Sequence, residues 1–437
     1  MKRLRASSYL GWDVYLLEND WMKISIAPQL GGRIIQLELA GHEFLYANKD
    51  LAQKWSGSIV EESDGVWRNY GGEKIWPAPQ GWDHANQWPG PPDEVLDGGL
   101  YSIEERVDAV HGSEAFLVSP VDDFTGLQIQ RAIGLIPEKS GVRIKAQFTN
   151  FSDRPKKWSI WPVCQLKTED FGEEVEYQVV CPISEHTQYD QGFKVMHGLV
   201  NNPQYRRNKN HLLVDYSYLV GKVGLDTDAN WVAYIHKKTG KVLVYRFLVE
   251  KNGTYPDNTS VQIWSQGKGL IHSRNRIIEY GNDKRSNPPY LEVEVLSPLV
   301  ELQPKGSMTF EYEILTSTLS EYCDISDVNE FGIIEDPICV QEQGDGFQLK
   351  AKYGVFGKGI LKIQLVSSSE DYAENAEAIF QAEVSPITGV SIDVNLGIIE
   401  WKKERKIVVG LFDEKNRFMG VLDEFIYNNK KVYNCKI

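Results

Sequence analysis

Basic charge, cysteine and long apolar runs are all scarce in this chain. Lys and Arg number 47 against 61 Asp and Glu, a net charge of −14 over 437 residues. Nucleic acid and anionic membranes call for a basic face, so neither is an expected partner. The five cysteines (Cys164, Cys181, Cys323, Cys339 and Cys435) are widely spaced and contain no CxxC pair. That argues against a disulfide framework or a zinc site and for reduced thiols in a cytoplasm. No apolar stretch is long enough for a membrane-spanning helix. The basic start MKRLR leads into no apolar signal-peptide run, so a secretory leader is not expected. P-loop, GxSxG, HExxH and strand-following GxGxxG motifs are missing, and with them the expectation of nucleotide, acyl-serine or zincin chemistry. No cofactor or metal is expected.

What the chain does have is a period of two. Residues 22–28, 33–40, 128–136, 142–148 and 308–316 alternate or are rich in β-branched and aromatic residues, with Asn, Asp, Gly and Pro between them. Short helices are expected only at 49–55 and 371–380. The fold class is therefore all-β, built as sandwiches. Periodicity lapses around 320–345, which divides the chain into domains 1–322 and 323–437. Strands expected at 346–353, 359–367, 390–396, 405–412 and 420–427 suit a small second sandwich, with an immunoglobulin-like one as the candidate. All eight histidines precede position 273, and eleven of twelve tryptophans precede 265, so the chemistry belongs to the first domain.

Five tryptophans fall in 55–88: Trp55, Trp67, Trp76, Trp82 and Trp88. The motifs NYGGEKIWPAPQ, GWDH and WPGPPDEVLDGG surround them, and their prolines and glycines predict a long ordered loop over 55–100. Aromatic rings beside carboxylates, amides and a histidine suit a sugar, whose flat apolar face stacks while its hydroxyls hydrogen-bond. The same tryptophans could instead pin the loop to the sandwich. Gln80, His84 and Trp88 are candidate contacts here. Glu73 and Lys74 would point to opposite faces if they lay in a strand, so only one could enter a pocket. A surface pair is the other reading.

In WSIWPVCQL (158–166), Trp158 and Trp161 lie on opposite faces of a strand, and Gln165 shares a face with Trp161. Cys164 reads as a buried, inert thiol. Lys222 and Asp226 in KVGLDTDANW, and Tyr255 and Asp257 in YPDNTSVQIW, are candidate polar contacts, although Asp257 after Pro256 could equally cap a turn. In YLEVEV (290–295), Glu292 and Glu294 share one face and Leu291, Val293 and Val295 the other. Two buried carboxylates on one face resist joint ionisation, which raises one pKa toward that of a useful general base. A solvated edge is the alternative.

Taken in order, these motifs resemble the galactose mutarotase-like superfamily. GGRIIQLELAGHEFLYAN (31–48) is similar to its opening hairpin. TNFSDRPKKWSIWPVCQL (149–166) is similar to its Asn, short loop and proline-bearing strand. LEVE (291–294), followed by LQPKGSMTFEYEI (302–314), resembles its ending. GGEKIWPAP, WPGPP, IWPVCQ, YPD and SPLVELQP look like an uncharacterised branch, and the likeness spans about residues 10–320. It implies a large twisted supersandwich with a sugar site on a concave face, binding a mono- or oligosaccharide. It also implies a late-strand Glu base, which falls on Glu292, and a His acid, whose place is taken by Trp161. His84, Lys74 or Lys222 would then supply the acid. The implied contact set is Arg33, Lys74, Trp76, Gln80, His84, Trp88, Trp161, Gln165, Lys222, Tyr255, Asp257 and Glu294. Aldose 1-epimerase chemistry is the first expectation. Non-catalytic sugar binding or sensing is the alternative, as is a glycan lyase or hydrolase on the same fold.

Overall fold

The computed structural model describes residues 3–52, 66–84, 86–108, 112–168, 176–273, 276–320, 324–343, 346–367, 378–396 and 405–426. It is built almost wholly of β-strands, as the two-residue period predicts. Of the expected helices, Lys49–Ala52 forms a single turn. Residues 378–380 of the other begin the strand Ala378–Val384, and 371–377 lie outside the described residues. Trp55, Cys323, Trp401 and Cys435 lie outside them too. No helix is long and apolar enough to cross a membrane.

The chain divides into two compact units. The first comprises Met1–Pro137, Gly141–His236 and Leu243–Ile314; the second comprises Glu138–Ser140, Lys237–Val242 and Leu315–Ile437. Among the described residues, one sheet has twelve strands and another has ten. Towards one end, the twelve-stranded sheet runs in order through Arg33–Leu39, Glu73–Ala78, Lys156–Lys167, Tyr290–Val295, Val261–Gln266, Gly221–Leu225 and Lys194–Gly198. Leu127–Leu135, Gly141–Asn150 and Ser307–Thr318 belong to the ten-stranded sheet. Buried residues of both sheets, among them Ile75, Val163, Leu291, Ile133, Ile144 and Tyr312, form one continuous core. In the second unit, Gly332–Gln343, Gly346–Val355 and Val390–Leu396 share one four-stranded sheet. Gly359–Ser367, Arg405–Phe412 and Phe418–Ile426 share another, and a separate core holds Leu349, Tyr353, Leu361, Ile363 and Val409.

Two expectations are corrected. Residues 55–100 are not one long loop, because Glu73–Ala78 is a fully buried strand of the large sheet. Gly71 and Gly72 adopt φ of 91° and 79°, a turn that L-residues avoid, and the β-favouring Ile75 and Trp76 follow it into the sheet. The second correction concerns the thiols. Cys164 and Cys181 are free and buried, but Cys339 is disulfide-bonded.

Candidate functional site

The strand register decides which side chains meet. Residues directly opposite each other in an antiparallel ladder project from the same face. Trp76 pairs with Trp161, and Lys74 with Val163. Val163 pairs with Glu294, and Gln165 with Glu292. Glu292 in turn pairs with Trp264, and Glu294 with Gln262. Lys222 pairs with Trp264, and His197 with Lys222. One face of six neighbouring strands therefore carries Lys74, Trp76, Trp161, Gln165, Glu292, Glu294, Trp264, Lys222 and His197. The other face carries Glu73, Cys164, Val293, Ile263 and Val223, and Cys164, Val293, Ile263 and Val223 belong to the core. The alternation read from YLEVEV thus holds, but the strand is central and buried rather than a solvated edge.

Two buried carboxylates and two buried amines are organised unequally on this face. Lys222 Nζ donates to Glu294 Oε2 at 2.8 Å, and Trp161 Nε1 donates to the same oxygen at 2.9 Å. Glu292 Oε1 accepts one hydrogen bond from Gln165 Nε2, at 2.7 Å. Lys74 Nζ is buried without a hydrogen-bond partner among the described residues, as are Gln165 Oε1 and Glu294 Oε1. Buried polar atoms are normally paired, so three orphans on one face mark a place built to meet something polar.

Burial raises the Glu292 carboxyl to about 7. The charge of Lys74 opposes the rise and that of Glu294 adds to it, while the Gln165 hydrogen bond and Lys222 favour the ionised form. The expected carboxylate–carboxylate effect is therefore present but secondary to desolvation. Burial lowers the Lys74 amine, and the Glu292 charge is the largest opposing influence. Cys164 is buried, as expected, and burial pushes its thiol up.

The tryptophans of this face contact its amines. Lys74 Nζ lies 4.5 Å from the centroid of the Trp76 ring, and Lys222 Nζ lies 4.8 Å from that of Trp161. These are cation–π contacts, so both rings seat amines. Trp76 also packs on Trp88 at 5.2 Å and on Trp161 at 5.5 Å between centroids. The wall is held by Asp97. Its carboxylate accepts from Trp76 Nε1 at 3.0 Å, from Trp67 Nε1 at 3.1 Å and from Arg33 Nη2 at 2.9 Å. Arg33 also bonds the carbonyls of Leu30, Gly71 and Asp97. The structure thus makes Arg33 a clip beneath the wall. Trp88 is buried, with its Nε1 committed to Asp93 Oδ2 at 2.7 Å.

The remaining expected contacts do not lie in the strands of this face, although the Asp257 carboxylate acts on His197. Gln80 is exposed, in a bridge with Trp88. His84 is exposed, and its Nδ1 accepts from Asn86 N within the same loop. Tyr255 Oη accepts from Glu250 N. Asp257 is exposed in a one-turn 3-10 helix with φ of 53°, and its carbonyl accepts from Lys194 Nζ at 3.3 Å, the turn reading of YPD. Asp226 bonds Thr187 Oγ1 and Gln188 N. Among candidate acids, the register brings Lys74 and Lys222 to Glu292 and leaves His84 aside. The sequence reading did not single out Asp97, Gln262, Trp264 or His197. For Gln262 and Trp264 the signal was present, as alternation in SVQIW; for His197 and Asp97 there was none. Among the described residues no three His, Cys, Asp or Glu side chains are grouped to hold a metal ion.

Residues 14–314 match the family described as a domain of unknown function, DUF4380, and the chain belongs to that family. Solved structures similar to it include a TPR-domain containing protein from Parabacteroides distasonis, 15% identical with a TM-score of 0.44. That match covers 70% of this chain but only 47% of that one. A galactose mutarotase-like protein from Lactobacillus casei is 11% identical with a TM-score of 0.43, covering 69% and 99% of the two chains. A galactose mutarotase-like protein from Clostridium acetobutylicum is 10% identical with a TM-score of 0.42, covering 72% and 98%.

Proposed function

We propose that this protein is carbohydrate-active and exchanges the anomers of an aldose, with Glu292 taking the proton from the anomeric hydroxyl. The observation that carries this is the Glu292 carboxyl itself. It is buried on a polar sheet face, steadied by Gln165 at 2.7 Å, and raised by burial to about 7. A group that titrates near neutrality can both take and return a proton. The resemblance of the motif order to galactose mutarotase-like proteins, which implies a base at Glu292, supports the same reading.

Ring opening requires the anomeric O–H proton to leave and the ring oxygen to gain one as the C1–O5 bond breaks. Closure on the opposite face of C1 reverses both transfers. The experiment is NMR or polarimetry of freshly dissolved α-aldoses with and without the protein. Anomer exchange above the buffer rate supports the reading. A protein that binds these sugars without exchanging them supports the second reading, sugar binding without turnover. That reading is favoured by Trp161, which stands where an acid is expected and whose N–H is committed to Glu294. Bond cleavage or elimination in place of exchange would point to a lyase or hydrolase. No compartment is proposed: the free thiols of Cys164 and Cys181 suit a reducing one, and the disulfide of Cys339 suits an oxidising one.

A further inference from the structure

We infer that Lys74 is the general acid of this site, delivering its proton to the ring oxygen while Glu292 takes the anomeric one. This rests on the reading just given. It resolves the difficulty that no histidine occupies the acid position. Lys74 and Glu292 lie on strands flanking Lys156–Lys167, two strand spacings apart and offset by two residues, since Lys74 stands opposite Val163 and Glu292 opposite Gln165, so their backbones are about 12 Å apart. Both side chains rise from the same face of that three-strand group.

The two buried lysines of the face are not equivalent. Lys222 is held by a 2.8 Å bond to Glu294, whose accepting oxygen also takes the Trp161 N–H. Its proton is committed to an ion pair. Lys74 Nζ has no hydrogen-bond partner among the described residues. Its contact is the Trp76 ring at 4.5 Å, which favours the ammonium without accepting its proton in a hydrogen bond. The charged and titratable groups acting on it are Glu292, Arg33, Asp97 and Cys164, and burial lowers its pKa. An ammonium so placed gives up a proton more readily than a solvated one.

The core fixes its aim. The preceding residue, Glu73, points to the opposite face, where it forms a fully buried ion pair with Arg131 and accepts from Tyr312 Oη at 2.6 Å. Arg131 also donates to the Gly32 carbonyl at 2.7 Å. A strand held from one face in this way cannot turn the neighbouring side chain away from the other. Glu73 and Arg131 are therefore positioning residues for Lys74.

The experiment measures anomer exchange by NMR for wild type, Lys74→Met and Lys74→Arg, with folding checked by circular dichroism. Lys74→Met should lose about 10²–10⁴-fold of the exchange rate. Lys74→Arg should not recover it, because a guanidinium keeps its charge and holds its proton. A second readout is independent of turnover. In protein labelled with ¹⁵N-lysine, Glu292→Gln should lower the titration midpoint of Lys74 Nζ, since it removes the carboxylate that favours the ammonium. An active wild type with an equally active, folded Lys74→Met overturns the inference and leaves the proposed function standing. So does a Lys74 titration indifferent to Glu292→Gln. A wild type inactive on aldoses overturns both.

Discussion

Glu73 and Lys74 are consecutive residues, both buried, and their charges serve opposite faces of one sheet. The Glu73 carboxylate meets Arg131 and Tyr312 in the core, while the Lys74 amine stands beside Glu292 with no hydrogen-bond partner among the described residues. The first pair is an ion pair closed in the core. No hydrogen bond to Lys74 Nζ closes the second among the described residues.

Breaking the core pair should be costly. Arg131→Met leaves Glu73 buried without its counter-charge, which costs about 3–5 kcal/mol. Urea unfolding should show that loss, and Arg131→Met with Glu73→Gln should recover part of it because the two sites are coupled. A single-variant loss below about 1 kcal/mol would show that the pair does not hold the two sheets together.

Glu292 should impose a pH dependence on stability. Its folded pKa, about 7, lies above the ordinary value of 4.5. The contribution of this group is then fully present below about 4.5 and is lost as pH rises through 7. The loss amounts to up to about 3 kcal/mol. Glu292→Gln removes this dependence, so the variant should gain stability relative to wild type between pH 5 and 8. Thermal unfolding across that range is the check, and parallel curves for the two proteins would mean that Glu292 is not shifted.

Asp97 should matter more than its place in a loop suggests. Asp97→Ala removes the acceptor of Trp67, Trp76 and Arg33 together and leaves a buried guanidinium without its carboxylate. A loss of about 3 kcal/mol or more is expected, with a changed near-ultraviolet circular dichroism from the released indoles. An unchanged aromatic spectrum would contradict the hub.

Gly71 is required by its backbone and its neighbour. Its φ is 91°, and a Cβ there would lie 2.1 Å from the Tyr46 carbonyl oxygen. Gly71→Ala should therefore destabilise by at least about 1–3 kcal/mol and displace the Glu73–Ala78 strand that follows. Wild-type stability in a chemical-denaturation curve would contradict this.

Much of this architecture was legible in the sequence because strand alternation is a local signal. The faces of Leu291–Val295 and of Trp158–Gln165 could be read directly, whereas the opposition of Glu73 and Lys74 could be read only on condition that they lay in a strand. What could not be read was which strands lie side by side. The register alone brings Lys74, Glu292 and Lys222 together from positions as much as 218 residues apart. The prolines in IWPAP hid a central strand, because a proline normally marks an edge or a turn. Arg33 and Trp88 have the residue types of a sugar site, yet their polar atoms are consumed by Asp97 and Asp93. That bookkeeping is tertiary, and no sequence pattern reports it.

Glu292→Gln tests the central claim most directly. The substitution keeps the shape of the side chain and can keep a contact to Gln165, but it cannot take a proton. Anomer exchange of a fresh aldose, followed by NMR at neutral pH, should fall by about 10²–10⁴-fold, while sugar affinity and the thermal transition remain at or above the wild-type level. A folded Glu292→Gln protein that exchanges anomers at the wild-type rate would remove Glu292 from the chemistry and contradict the account.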